Sequence, residues 1–322
     1  MSVLIQSINP ANGQINADIA LETTEQALEQ CRKTHAACGA WRALPLSERC
    51  VFMRKLAQTL RANADGHAVL MATEMGKPVS QGKKECEKSA WTAEVYADNA
   101  ETWLADQHVQ ADGQKHTIRF EPLGTVLAVM PWNYPFWQLL RVAIPVMLAG
   151  NTLVLRHSNN VPLCAQALNQ VFKDAGFPAD AFGVVITGHD AVKAMVESPH
   201  IQGVSLTGSE TAGKIVGAQA ANALKPMVLE LGGSDAFIVL EDADLSKAVD
   251  AAVVGRTQNA GQSCIAAKRI IVHEKIADAF TNAFVEKMAS LQVGDPLSEK
   301  THVGPLSSLK ARDDVKRQVD ES

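Results

Sequence analysis

Apolar positions change their rhythm about a third of the way along the chain. Up to residue 104 they recur every three or four residues, the period of helices that bury one face. Thr23 or Thr24 can cap a first helix reaching toward Ala40, and Ser47 a second, in which Phe52, Leu56 and Leu60 share a face. Met75-Gly76-Lys77-Pro78 is a stop signal, a glycine able to turn left-handed followed by a proline. A long helix from Ser80 to about Leu104 follows, and then a segment, 107–120, whose Asp112-Gly113 step between strand-like runs predicts a hairpin.

From Gly124 onward, short continuously apolar runs alternate with helical periods. Strands are expected at 125–130, 152–156, 182–186, 203–208 and 226–230. Helices are expected from beyond Pro135 through Met147, from Pro162 to Ala175, from Ala191 to Glu197 and from Ala212 to Ala223. Continuously apolar strands fit a parallel sheet covered on both faces, so the fold class is α/β with a Rossmann-type, doubly wound sheet. Such sheets bind ligands beyond the carboxyl ends of their strands. Four turn-rich segments fall at those ends: PWNYP (131–135), RHSN (156–159), TGSETAG (207–213) and ELGG (230–233).

Composition narrows the function classes. The chain has 322 residues and a net charge of −5, with no basic surplus for nucleic acid or an anionic membrane surface. Its start, MSVLIQSINP, lacks a basic leader, and Pro145 and Gly150 interrupt the most apolar stretch, which predicts a cytoplasmic chain with no membrane partner. Six cysteines form no C-x-x-C pair, so no metal site is expected. Cys31, Cys38, Cys50, Cys86 and Cys164 are read as small apolar side chains on helices. Cys264 differs, because it follows a Gly-Gln-Ser step and precedes an apolar strand in QNAGQSCIAAKR (258–269).

The chemistry of three residues is complementary. Asn133 offers an uncharged amide donor to a developing oxyanion. Glu230, at a strand end and expected to be partly withdrawn from water, suits a general base. Cys264 is a soft nucleophile. Between the first two, Gly208, Ser209 and Gly213 lie where a strand becomes a helix, a place where phosphate can approach backbone amides. Their G-x-x-x-x-G spacing departs from the usual dinucleotide fingerprint.

In PWNYP, LTGS (206–209), ELGG and GQSC (261–264), in this order, the sequence closely resembles the aldehyde dehydrogenase superfamily over essentially its whole length. The resemblance implies that the Cys264 thiolate attacks an aldehyde. Asn133 and the Cys264 N–H would hold the oxyanion, and Glu230 would activate the water that hydrolyses the thioester. It implies a dinucleotide-binding domain over 1–106 and 123–230, an oligomerisation hairpin over 107–122 and a partial catalytic domain over 231–322. NAD or NADP would be lined by Trp132, Arg156, Ser158, Asn159, Gly208, Ser209, Gly213 and Leu231. Asn159 stands where a glutamate would repel a 2′-phosphate, so NADP is expected to be tolerated beside NAD. Arg141 would take a substrate carboxylate, as in the succinate-semialdehyde branch that the chain most resembles.

Family members continue beyond the position of Ser322, so a C-terminally incomplete chain is expected, and a homo-oligomer, dimer or tetramer, if the chain is whole. Two other readings stay open. One is a nucleotide-binding remnant without turnover. The other is a dehydrogenase that passes its thioester to coenzyme A, against which Glu230 counts.

Overall fold

A computed structural model describes residues 3–322. It begins with an antiparallel pair, β1 (Leu4–Ile8) and β2 (Ile15–Ala20), which the helical rhythm of the first hundred residues conceals. Helix α1 (Thr24–Ala43) starts at a capping box in which the Thr23 hydroxyl and the Gln26 side chain each accept the other's backbone N–H. Helix α2 (Leu46–Ala62) corrects the expected Ser47 cap. The Glu48 and Arg49 N–H groups donate to the Pro45 carbonyl, so Pro45 is the N-cap and Ser47 lies inside the first turn. Helix α3 (Ala64–Met75) ends at Gly76, whose φ of +80° only glycine adopts freely. Helix α4 (Val79–Trp103) then runs for 25 residues.

Strands β3 (Gln107–Ala111) and β4 (Gln114–Ile118) form the expected hairpin, with Asp112 and Gly113 both left-handed and all ten strand residues exposed. The alternating part follows: β5 (Thr125–Met130), α5 (Pro135–Leu148), β6 (Thr152–His157), α6 (Pro162–Asp174), β7 (Phe182–Val185), α7 (His189–Glu197), β8 (Gly203–Thr207), α8 (Glu210–Asn222) and β9 (Met227–Glu230). The five strands form one parallel sheet in the order β7-β6-β5-β8-β9.

Alternation of side chains explains why β5 and the first part of β6 run apolar without a break. Ala128, Met130, Leu153 and Leu155 enter one core with α2, α4, α5 and α6, while Leu127, Val154, Val185 and Leu206 enter another with α1, α7 and α8. Strand β9 departs from the expectation of a covered strand. It is the edge of the sheet, pairs among the described residues with β8 alone, and all four of its residues are exposed.

Beyond it, β10 (Ala236–Val239) and β11 (Arg269–Val272) pair in parallel across α9 (Leu245–Thr257), with α10 (Ala277–Ala289) packed on the same small core of Val239, Val249, Ala252, Val253 and Phe280. Helix α11 (Leu309–Asp320) is capped by the Ser308 hydroxyl, which accepts the Ala311 N–H at 3.1 Å. No helix among the described residues is long and apolar enough to cross a membrane.

Candidate active site

The turn after β5 carries Trp132, Asn133 and Tyr134 to the start of α5, where Pro135 takes the first helical position that suits its fixed φ. Tyr134 makes no side-chain cap, and the missing acceptor comes from α4. Glu85 Oε1 accepts the N–H groups of Phe136 and Trp137, both at 2.9 Å. Glu85 in turn pairs with Lys77, and both side chains are almost wholly buried. The Lys77 ammonium lies 3.7 Å from the centroid of the Tyr134 ring. Burial pushes the Lys77 pKa down, against the attraction of Glu85. His157 reaches the same turn from β6. Its Nε2–H donates to the Pro135 carbonyl at 3.0 Å while Nδ1 accepts the Ser158 N–H, and burial pushes its pKa down to about 4. The ring is therefore neutral, with its proton on Nε2.

The segment that carries Cys264 docks on this turn. Asn133 Nδ2 donates to the Gln262 carbonyl at 3.0 Å, and Asn259 Nδ2 donates back to the Asn133 carbonyl at 2.7 Å. Among the described residues the second Asn133 N–H has no partner, and neither does its buried Oδ1. Asn259, Ala260 and Gly261 are consecutive left-handed residues, with φ of 54°, 55° and 76°. They turn the chain sharply out of α9 so that Ser263 and Cys264 face the Asn133 turn. Of the six cysteines, Cys264 is partly exposed and the other five are buried on helices, as expected. The Cys264 N–H donates to no carbonyl among the described residues. The ELGG turn approaches it as well, since a Cβ on Gly233 would lie 3.6 Å from the Cys264 carbonyl oxygen.

Glu230 ends β9 with a half-exposed side chain, so the expected withdrawal from water is not observed. It faces Arg141 of α5 instead, whose Nη2 lies 3.7 Å from its carboxylate. The Arg141 Nε donates to Gln138 at 2.9 Å and Nη2 to Thr207 at 3.1 Å, which leaves Nη1 without a partner among the described residues. Asn133 thus meets the 259–264 turn, the ELGG turn approaches Cys264, and Glu230 meets Arg141 of α5.

The residues expected to line a dinucleotide lie at the carboxyl edge of the sheet. Arg156 is buried at the end of β6. Its Nη2 donates to the Thr187 carbonyl at 3.0 Å and to Asn159 Oδ1 at 3.3 Å, while Nε has no partner. Burial lowers its pKa to about 10. Two of these residues have local partners as well. The Ser209 hydroxyl caps α8 by accepting the Ala212 N–H at 3.2 Å. Gly213 is small because of Leu231, as a Cβ there would stand 2.5 Å from a Leu231 methyl, so the close approach is to a side chain. Gly208 has no such neighbour nearer than 3.7 Å, and the first amides of α8 stay approachable there. An orphaned guanidinium N–H, an open glycine and a helix N-terminus along one sheet edge fit a dinucleotide.

Sequence reasoning overlooked Lys77, Glu85, His157 and Asn259. Lys77 was absorbed into a helix stop. The available signal for Glu85 was a carboxylate among Gly82, Cys86, Ser89 and Ala90, the buried stripe of α4.

Comparison with known proteins agrees with this geometry. The model of the aldehyde dehydrogenase family matches residues 2–322. The NAD(P)+-dependent succinate semialdehyde dehydrogenase Sad of Escherichia coli (strain K12) is 43% identical over 316 residues, which cover 98% of this chain and 68% of that protein. The NADP+-dependent succinate-semialdehyde dehydrogenase of Mycobacterium leprae (strain TN) is 44% identical, with 98% and 70% covered. Among solved structures, succinic semialdehyde dehydrogenase from Streptococcus pyogenes in complex with NADP+ superposes with a TM-score of 0.94 at 32% identity, covering 98% of this chain and 70% of that one.

Proposed function

Because the chain belongs to the aldehyde dehydrogenase family, whose reaction is NAD(P)-dependent aldehyde oxidation, we propose that it oxidises succinate semialdehyde to the acid. The Cys264 thiolate adds to the carbonyl carbon. The resulting oxyanion accepts from the free Asn133 N–H and from the Cys264 N–H, donors already oriented by the protein. A bound nicotinamide supplies the hydride acceptor, and Arg156, Ser158, Asn159 and the start of α8 would hold the dinucleotide. Cys264 is left as a thioester. Glu230 then takes the proton of the water that attacks it, and the thiolate leaves.

The observation that carries the choice of substrate is the partnerless Nη1 of Arg141 beside Glu230. A distal carboxylate on the aldehyde can accept from it. Arg141→Met keeps most of the apolar stem and removes the charge. A charge-assisted hydrogen bond contributes roughly 1.5–3 kcal/mol, so KM for succinate semialdehyde should rise about ten- to hundredfold. KM for butyraldehyde, equal in carbon count but without the carboxylate, should barely move. Equal weakening of both aldehydes, or of neither, removes Arg141 from the substrate site.

The dinucleotide side makes a separate claim. A glutamate at Asn159 would pair with Arg156 and meet a 2′-phosphate with like charge. Asn159→Glu should therefore lower the NADP-to-NAD ratio of kcat/KM by about tenfold. An unchanged ratio would mean that Asn159 does not face the adenosine ribose.

The same reading divides the chain into a dinucleotide-binding part (1–106 and 123–230), an assembly hairpin (107–122) and a catalytic part (231–322). The separate sheets and cores support that division. It makes the exposed β3–β4 hairpin the contact of a homo-oligomer, dimer or tetramer, if the chain is whole.

A further inference from the structure

We propose that Glu85 is a positioning residue for the oxyanion donor, holding the turn that carries Asn133 by the first amides of α5. What that turn does rests on the aldehyde-oxidising reading, but how it is held does not. A helix N-terminus needs acceptors for its first N–H groups, usually a serine, threonine or aspartate at the cap. Tyr134 stands at that cap and offers none. Glu85 supplies the acceptor from α4, with one oxygen receiving both Phe136 N–H and Trp137 N–H at 2.9 Å. Its other oxygen pairs with Lys77, which also touches the Tyr134 ring. The segment directly after Asn133 is thus held at one amide pair and one ring by a single buried ion pair.

Burying two opposite charges to cap one helix is a costly arrangement, and such pairs are often replaceable by apolar groups without loss of stability. What an apolar replacement cannot do is fix the position of two specific amides. Asn133 is anchored on its other side by Asn259 and Gln262, so an α5 N-terminus free to shift would change the aim of its free N–H.

Two conservative variants separate this role from plain charge pairing. Glu85→Gln keeps the reach and one acceptor oxygen for both amides. It also removes the carboxylate that opposes the effect of burial on Lys77, so the buried amine can give up its proton and accept from the new amide N–H. Glu85→Asp keeps the charge but is one methylene too short to reach both amides. The readouts are the rate of the NAD(P)H burst, the dinucleotide Kd, and hydrogen exchange of the Phe136 and Trp137 amides. Glu85→Asp should slow the burst by about 10²-fold, the size of a lost oxyanion donor, and expose both amides, with Kd within twofold. Glu85→Gln should stay within tenfold of the unaltered protein and keep both amides protected. The reverse order, or equal losses in the two variants, overturns the proposal in favour of a structural ion pair. If Glu85→Gln does not fold, Lys77→Met/Glu85→Gln takes its place, with the same expectation. If the unaltered protein gives no burst, the proposed function fails by itself, and the exchange of the two amides still decides the role of Glu85.

Discussion

Cys264→Ser is expected to reduce NAD(P)-dependent oxidation of succinate semialdehyde by roughly 10⁴-fold or more, while dinucleotide affinity stays unchanged. A serine hydroxyl has the size of the thiol but not its acidity or its soft, polarisable lone pairs, and no base lies within the nucleophile turn to activate it. The Asn259–Gly261 turn and the hydrogen bond from Asn133 to Gln262 do not involve the sulfur, so the loop should fold as before. Measuring turnover beside dinucleotide binding separates lost chemistry from lost structure. An unaltered turnover number would overturn the assignment of the nucleophile. Binding without turnover in the unaltered protein would instead favour a nucleotide-binding remnant.

Glu230→Gln should leave a rapid burst of NAD(P)H and slow the steady state by about 10²–10⁴-fold, the usual contribution of a general base. Glutamine can still orient a water molecule but cannot take its proton, so the thioester would form and persist. The substitution also removes the carboxylate that faces Arg141 across 3.7 Å, and a modest change in KM for the carboxylated substrate should accompany it. Equal losses in burst and steady state would place Glu230 in the first half of the reaction. Product analysis in the presence of coenzyme A completes the test, because an acyl-CoA product would show that water is not the acceptor.

The carboxyl edge of the sheet was legible because its turns need residues with visible properties. Proline opens α5, asparagine and glycine punctuate the loops, and β5 and β6 carry apolar side chains on both faces because two cores claim alternate residues. Strand β9 shows the limit of that logic. MVLE reads like a covered strand, yet sequence order says nothing about which strand takes the edge. Gly213 was legible as a tight place but not as the neighbour of Leu231, since the contact spans strand, turn and helix. The Lys77–Glu85 pair was illegible for a related reason. Glu85 lies 51 positions before the amide of Phe136, and a buried carboxylate on a helix has no local period that announces its partner.

The distribution of sulfur gives the molecule a built-in selectivity toward electrophiles. Five thiols are buried on helices and offer a reagent no access, and burial pushes those of Cys31 and Cys86 up to about 12, so these two offer no thiolate either. Cys264 alone stands where a small alkylating or oxidising molecule can reach it. The stoichiometry of modification under native conditions is therefore a count of assembled nucleophile turns, one per folded chain, and a bound dinucleotide or aldehyde should protect that single site. The same arrangement makes the Cys264 sulfur the first casualty of oxidative stress, with the remaining five preserved until the helices themselves come apart.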